Sequence, residues 1–159
     1  MQPRILRILL LTAVSFLAMA HAQDRGSYLG ASTGAVSLLG YVGLPVSAHV
    51  GFENVLFDQI DVRVGGTYYV GGGDGAEVHV DALYTLPSMG GPDVYLGVGP
   101  RAFLVESDGL AGLGLLAGAT FPFTPSLTGF AEFQANTYFL GPLGVTVGGV
   151  RLGVNVPLD

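Results

Sequence analysis

Residues 59–70 read QIDVRVGGTYYV and residues 76–86, after a glycine-rich break, read AEVHVDALYTL. In the first stretch Ile60, Val62, Val64, Tyr68 and Val70 alternate with Asp61, Arg63, Gly65, Thr67 and Tyr69. In the second Val78, Val80, Ala82, Tyr84 and Leu86 alternate with Glu77, His79, Asp81 and Thr85. A repeat of two sends successive side chains to opposite faces of an extended chain, so both stretches are β-strands with one aliphatic and one polar, charged face.

The same alternation recurs on either side. Val42, Leu44, Val46, Ala48, Val50 and Phe52 share a face opposite Ser47 and His49. Val94, Leu96, Val98, Ala102 and Leu104 oppose Tyr95, Gly97, Gly99 and Arg101, and Leu127, Ala131, Phe133 and Ala135 oppose Glu132, Gln134 and Asn136. Glycine, proline and aspartate clusters mark the breaks and predict eight strands, at Ser27 to Leu38, Tyr41 to Phe52, Gln59 to Val70, Ala76 to Leu86, Asp93 to Leu104, Leu110 to Phe121, Leu127 to Tyr138 and Leu143 to Val156. Strands of this length cross a bilayer when tilted. The first alternates weakly, and the last changes phase at Gly148-Gly149, which predicts a bulge there.

Composition decides which face meets solvent. Only 11% of the 159 residues are charged and 50% are apolar, against roughly 25% charged in an ordinary soluble domain. Yet beyond the N-terminal leader no stretch offers the roughly 18 consecutive apolar residues of a spanning helix. The way left to place an apolar exterior in lipid with every backbone group satisfied is a closed barrel. A soluble ligand-binding barrel of the lipocalin kind inverts the faces and needs a charged exterior. Here the polar face is mostly Gly, Ser and Thr with a few charges, which suits the narrow interior of an eight-stranded barrel.

The N-terminus carries an export signature. Arg4 and Arg7 precede the apolar run Ile8 to Ala18, and Ala20-His21-Ala22 makes a small-x-small cleavage site, so residues 1–22 are expected to be a signal peptide and 23–159 the barrel. Cysteine and lysine are both absent. Residues 23–159 hold four arginines against twelve acids, a net charge of −8, which argues against nucleic acid as a partner.

Leader, eight alternating strands and short connections together resemble the small eight-stranded outer-membrane β-barrel family, of the outer membrane protein A and protein X transmembrane-domain type. The likeness covers the whole mature chain. It implies an antiparallel up-and-down barrel in a bacterial outer membrane, with outer-membrane lipid, other envelope proteins and the barrel-assembly machinery as partners. Such barrels end in an assembly signal. Arg151, Gly153, Val156 and Leu158 resemble it, with Leu158 where an aromatic is usual and Asp159 beyond it.

On the polar face Asp61, Arg63, Glu77, His79, Asp81, Arg101, Glu132 and Arg151 are expected to share the lumen as an ion-pair network, because an unpaired charge in so confined a space is very costly. Glu77, His79 and Asp81 lie on one strand face at metal-ligand spacing, but the neighbouring arginines repel a cation, and no metal or cofactor is expected. Ser47 and His49 with Asp61 would make a hydrolytic triad only if they converge. Gly71 to Gly75 is read as a hairpin rather than a phosphate cradle, since no helix follows. Aromatics fall into two sets, expected as interfacial girdles: Phe52, Phe57, Tyr84, Tyr95, Phe121 and Phe123 near one set of turns, and Tyr41, Tyr68, Tyr69, Phe103, Tyr138 and Phe139 near the other. Connections of about two to six residues leave no long loops for adhesion. The expected role is a non-enzymatic envelope structural or accessory protein with a plugged lumen. Alternatives are a membrane-embedded lipid-modifying enzyme, a narrow pore, or a soluble lipocalin-like binder.

Overall fold

The computed structural model describes residues 26–38, 41–55, 57–71, 75–87, 90–105 and 108–158. The predicted signal peptide lies outside these residues. Eight strands follow in chain order: β1 (Ser27–Leu38), β2 (Tyr41–Phe52), β3 (Ile60–Val70), β4 (Gly75–Thr85), β5 (Asp93–Val105), β6 (Asp108–Thr124), β7 (Leu127–Leu140) and β8 (Leu143–Leu158). Each pairs antiparallel with its sequence neighbours, and β1 pairs with β8 from Ser27–Leu158 to Ser37–Gly148, closing the barrel. Closure leaves no open sheet edge.

Segment positions agree with the sequence pattern to within three residues, β6 reaching furthest beyond its expected bounds. The connections do not all meet the expectation of two to six residues. Residues 53–59 and 86–92, both at the end where the chain enters and leaves, are seven long. At the opposite end the connections are only two to four residues long. Gly141 there takes φ 60°, a left-handed value that glycine tolerates, before Pro142, whose ring fixes φ.

Sidedness follows the strand repeat. Leu44, Leu96, Leu115, Phe133 and Leu152 stand outward, about half or more exposed, while Arg63, Glu77, Asp81, Arg101, Glu132 and Arg151 point inward and are at most 4% exposed. An interior packed with charge and an exterior of Leu, Val and Phe is the reverse of a water-soluble protein, and it is the arrangement of outer-membrane barrels.

Two further expectations are corrected. The register of β8 against β7 and β1 is continuous through Gly148-Gly149, so no bulge exists there. Instead the apolar pattern crosses sides: Val145 and Val147 have the inward parity of Arg151 and pair with inward-facing Tyr138 and Asn136. The observed irregularity lies between Pro122 and Thr124, where β6 meets β7. The aromatic girdles are also thinner than expected. Phe57, Tyr84, Phe121 and Phe123 at one end, and Tyr68 and Phe139 at the other, are exposed. Tyr69, Tyr95 and Tyr138 are buried, and with Phe103 they sit at inward positions; Phe52 is buried beside the β2–β3 connection. Tyr41's side chain lies outside the described residues.

The outward wall sets the first test. Leu115→Arg puts a charge at mid-height on the apolar face and is expected to lower the unfolding free energy in a lipid bilayer by about 2 to 4 kcal/mol. Urea titration of bilayer-embedded protein measures it, and a change near zero contradicts a lipid-facing wall.

Candidate functional site: the barrel lumen

Glu77 is the hub. Its Oε2 accepts from the hydroxyls of Tyr69, at 3.1 Å, and Tyr138, and from Asn136 Nδ2 at 3.2 Å. Its Oε1 faces His79 Nδ1 at 3.4 Å, Arg151 Nη2 at 3.7 Å and Arg101 Nε at 3.9 Å. Donors from β3, β7, β4, β8 and β5 thus converge on one carboxylate.

A second centre lies along β4 and across the lumen. Asp81 Oδ2 takes Arg63 Nη2 at 3.2 Å, and Asp81 Oδ1 meets Arg101 Nη1 at 2.5 Å. The latter contact is off the hydrogen-bond line, so it binds as charge against charge. Arg63 also reaches across to Glu132, which accepts from the Tyr95 hydroxyl at 2.7 Å. Arg101 Nε donates to Asn136 Oδ1 at 3.3 Å, and Arg151 Nη2 donates to Thr67 Oγ1 at 3.0 Å.

The buried set holds three guanidiniums, Arg63, Arg101 and Arg151, and three carboxylates, Glu77, Asp81 and Glu132. The charges balance, which reduces the cost of removing them from water. Room comes from two inward glycines of β6, on either side of buried Leu116: a Cβ on Gly114 would strike the Arg101 guanidinium, and one on Gly118 would strike the Tyr95 ring.

Of the expected residues, Arg63, Glu77, His79, Asp81, Arg101, Glu132 and Arg151 meet in this interior. Asp61 stands apart at the mouth, where its carboxylate accepts the Asn54 backbone N–H at 2.9 Å. The possible triad does not converge. Ser47 Oγ bonds Thr67 Oγ1 at 2.9 Å, His49 Nε2 bonds Asn155 Oδ1 at 3.0 Å, and Asp61 is engaged with Asn54. His79 sits 3.4 Å from Glu77 and 3.9 Å from Asp81, but guanidiniums already face both carboxylates. The assembly-signal positions divide, with Arg151 and Gly153 at inward positions and Val156 and Leu158 exposed outside. Sequence reasoning passed over the hydroxyls of Tyr69, Tyr95 and Tyr138 and the amide of Asn136 as carboxylate donors, though their parity on the polar face was a usable signal.

The lumen opens at the end where the chain enters and leaves into a cavity of about 450 Å³, with Glu53, Asp58, Asp61 and Asp93 toward solvent and Arg63 and Tyr95 deeper. Leu83, Tyr95 and Leu116 make an apolar cluster on the β4–β6 wall. Partial burial, with Asp61 nearby, pushes the Glu53 carboxyl above the usual range.

No family model matches the sequence, and the comparison with curated proteins finds no match. Solved structures do match in fold. Neisserial surface protein A is 20% identical with a TM-score of 0.64, over 84% of this chain and 97% of that one. The N-terminal β-barrel domain of Pseudomonas aeruginosa OprF is 17% identical with a TM-score of 0.57, over 83% and 99%. A major outer membrane protein from Thermus thermophilus is 17% identical with a TM-score of 0.59, again over 83% and 99%. The chain therefore has the fold of the small outer-membrane β-barrels.

Two tests follow from the geometry. Glu77→Ala strands several buried donors and should cost about 3 to 5 kcal/mol in unfolding free energy, whereas Asp61→Asn should cost about 1 kcal/mol or less. Equal losses would mean Glu77 is no hub. At the mouth, a raised Glu53 pKa means the folded state holds its proton more tightly, so Glu53 opposes folding once ionised and the penalty fades as pH falls. Glu53→Gln should raise the unfolding midpoint at neutral pH, and the gain should vanish below the usual glutamate range. A gain independent of pH refutes this assignment.

Proposed function

We propose that this chain is a non-enzymatic protein of the bacterial outer membrane whose lumen is plugged by its ion-pair network, and that it acts as a structural or accessory component of the envelope. The observation that carries the reading is the balanced set of three buried guanidiniums and three buried carboxylates bridging opposite walls at mid-barrel. A hydrated ion passing through would have to separate these partners in a low-dielectric interior, where each unpaired charge is expensive. The apolar exterior fits a lipid surround, and the wall itself would be the contact made with lipid and with other envelope proteins. Delivery by the barrel-assembly machinery fits the residues Arg151, Gly153, Val156 and Leu158.

The short hairpins at the end opposite the termini support a structural role over an adhesive one, since barrels that bind at the cell surface do so through long loops there. A lipid-modifying activity is disfavoured by the separate partners of Ser47, His49 and Asp61.

Two measurements test the proposal. Purified barrel in planar bilayers is expected to give no unitary conductance, and sustained channel steps from the unaltered protein would make it a pore. Removal of detergent is expected to aggregate the refolded chain. A monodisperse, folded protein in plain buffer would defeat the membrane assignment.

A further inference from the structure

Proline has no backbone N–H, and hydrocarbon offers no substitute donor. Four prolines lie within these strands, Pro122 and Pro157 near the ends of β6 and β8, and Pro45 in β2 and Pro100 in β5 away from the strand ends. Toward one neighbour each of the latter two is in register, Pro45 with Tyr69 and Pro100 with Leu113. Toward the other the ladder breaks. Pairing of β1 with β2 stops at Thr33–Val46 and resumes at Val36–Gly43, and pairing of β4 with β5 stops at His79–Arg101 and resumes at Ala82–Val98. The register is the same on both sides of each break, so no residue is inserted. What is lost is the hydrogen bond that a proline nitrogen cannot give, to the Gly34 carbonyl opposite Pro45 and the Val80 carbonyl opposite Pro100.

The β4–β5 break is the more consequential. It divides that ladder into two short blocks, residues 76–79 with 101–104 and residues 82–85 with 95–98. The strands approach closely there only because residue 99 is glycine, since a Cβ on Gly99 would collide with the Val80 carbonyl oxygen. Directly behind the break, Arg101 on β5 meets Asp81 on β4 at 2.5 Å. A side-chain ion pair thus joins the two strands beside the backbone hydrogen bond that Pro100 cannot make.

We propose that the β4–β5 seam is a lateral opening in the barrel wall, latched from inside by the Arg101–Asp81 ion pair. Each partner has a second contact on its own side of the seam. Asp81 has Arg63 on β3 at 3.2 Å, and Arg101 has Asn136 on β7 at 3.3 Å. Parting at Pro100 leaves Asp81 with Arg63 but takes Arg101 from both its carboxylates, since Glu77, 3.9 Å from Arg101 Nε, is also on β4, so the cost of leaving that guanidinium with a neutral amide is what holds the latch shut. Opening exposes the polar middle of the lumen to membrane lipid rather than to either aqueous face. The β6–β7 ladder, by contrast, runs unbroken through mid-wall, from Gly112–Tyr138 to Pro122–Thr128, and turns irregular only at its end, between Pro122 and Thr124.

Amide hydrogen exchange of the barrel in phospholipid nanodiscs tests the idea. Amides at positions 80–82, 98, 99, 101 and 102 are expected to exchange about tenfold faster than those at 113–119, a difference comparable to one lost backbone hydrogen bond. Pro100→Val, which restores the donor, should remove most of that excess. Arg101→Gln should increase it while leaving positions 113–119 unchanged. If Arg101→Gln does not fold, the Pro100→Val comparison decides alone. Equal protection of the seam and of the β6–β7 wall in the unaltered barrel, or seam exchange indifferent to Pro100→Val, overturns the proposal.

Discussion

A guanidinium removed from water is tolerable only beside a carboxylate, and Arg63, Arg101 and Arg151 bring that requirement into the middle of the barrel. Much of the interior answers to it. Glu77 and Asp81 lie on one strand at the same parity, so both face inward, and Glu132 reaches Arg63 from the opposite wall. Tyrosine hydroxyls and the Asn136 amide occupy carboxylate lone pairs that the arginines do not fill. Glycines on β6 make space for the long side chains. The result ties β3 and β4 to β7 and β8 across the lumen, and these ties act in addition to the backbone ladders around the wall.

The outside obeys the opposite rule. Leu, Val and Phe face outward through the height of the wall, while the acids outside the network gather at the ends, as Glu53, Asp58, Asp61 and Asp93 do around the mouth. A charge-balanced interior, an apolar wall and an anionic mouth are the features on which the proposed envelope role rests. A bond that Pro100 withholds from the wall is balanced by charge from within, so the same network that fills the lumen also bears on the integrity of the sheet.

The aromatic residues and the final strand show how a correct local pattern misleads about location. Tyr69, Tyr95, Phe103 and Tyr138 are amphipathic or aromatic and lie near strand ends, features they share with girdle residues, but their parity turns them toward the lumen and its carboxylates. At Gly148-Gly149 the hydrophobic pattern changes phase while the backbone does not, because that end of the lumen is lined by Val145, Val147 and Tyr138 and accepts apolar side chains. A bulge was one way to reconcile the phases, and a locally apolar lumen was the other.

Alternation of side chains, turn residues at regular intervals and scarcity of charge were enough by themselves to determine eight antiparallel strands, their approximate bounds, the barrel and which face carries the charges. These are local properties, since a strand's two faces are fixed by a repeat of two residues whatever its neighbours do. The partners of each charge were decided only by the tertiary structure. Glu77 and Tyr138 are sixty-one residues apart, as Arg63 and Glu132 are sixty-nine, and the distances between them depend on strand tilt and stagger around the closed barrel. The same geometry left Asp61 at the mouth and sent Ser47 and His49 to different partners. Composition names the charges that must be neutralised, and closure of the sheet selects which of them meet.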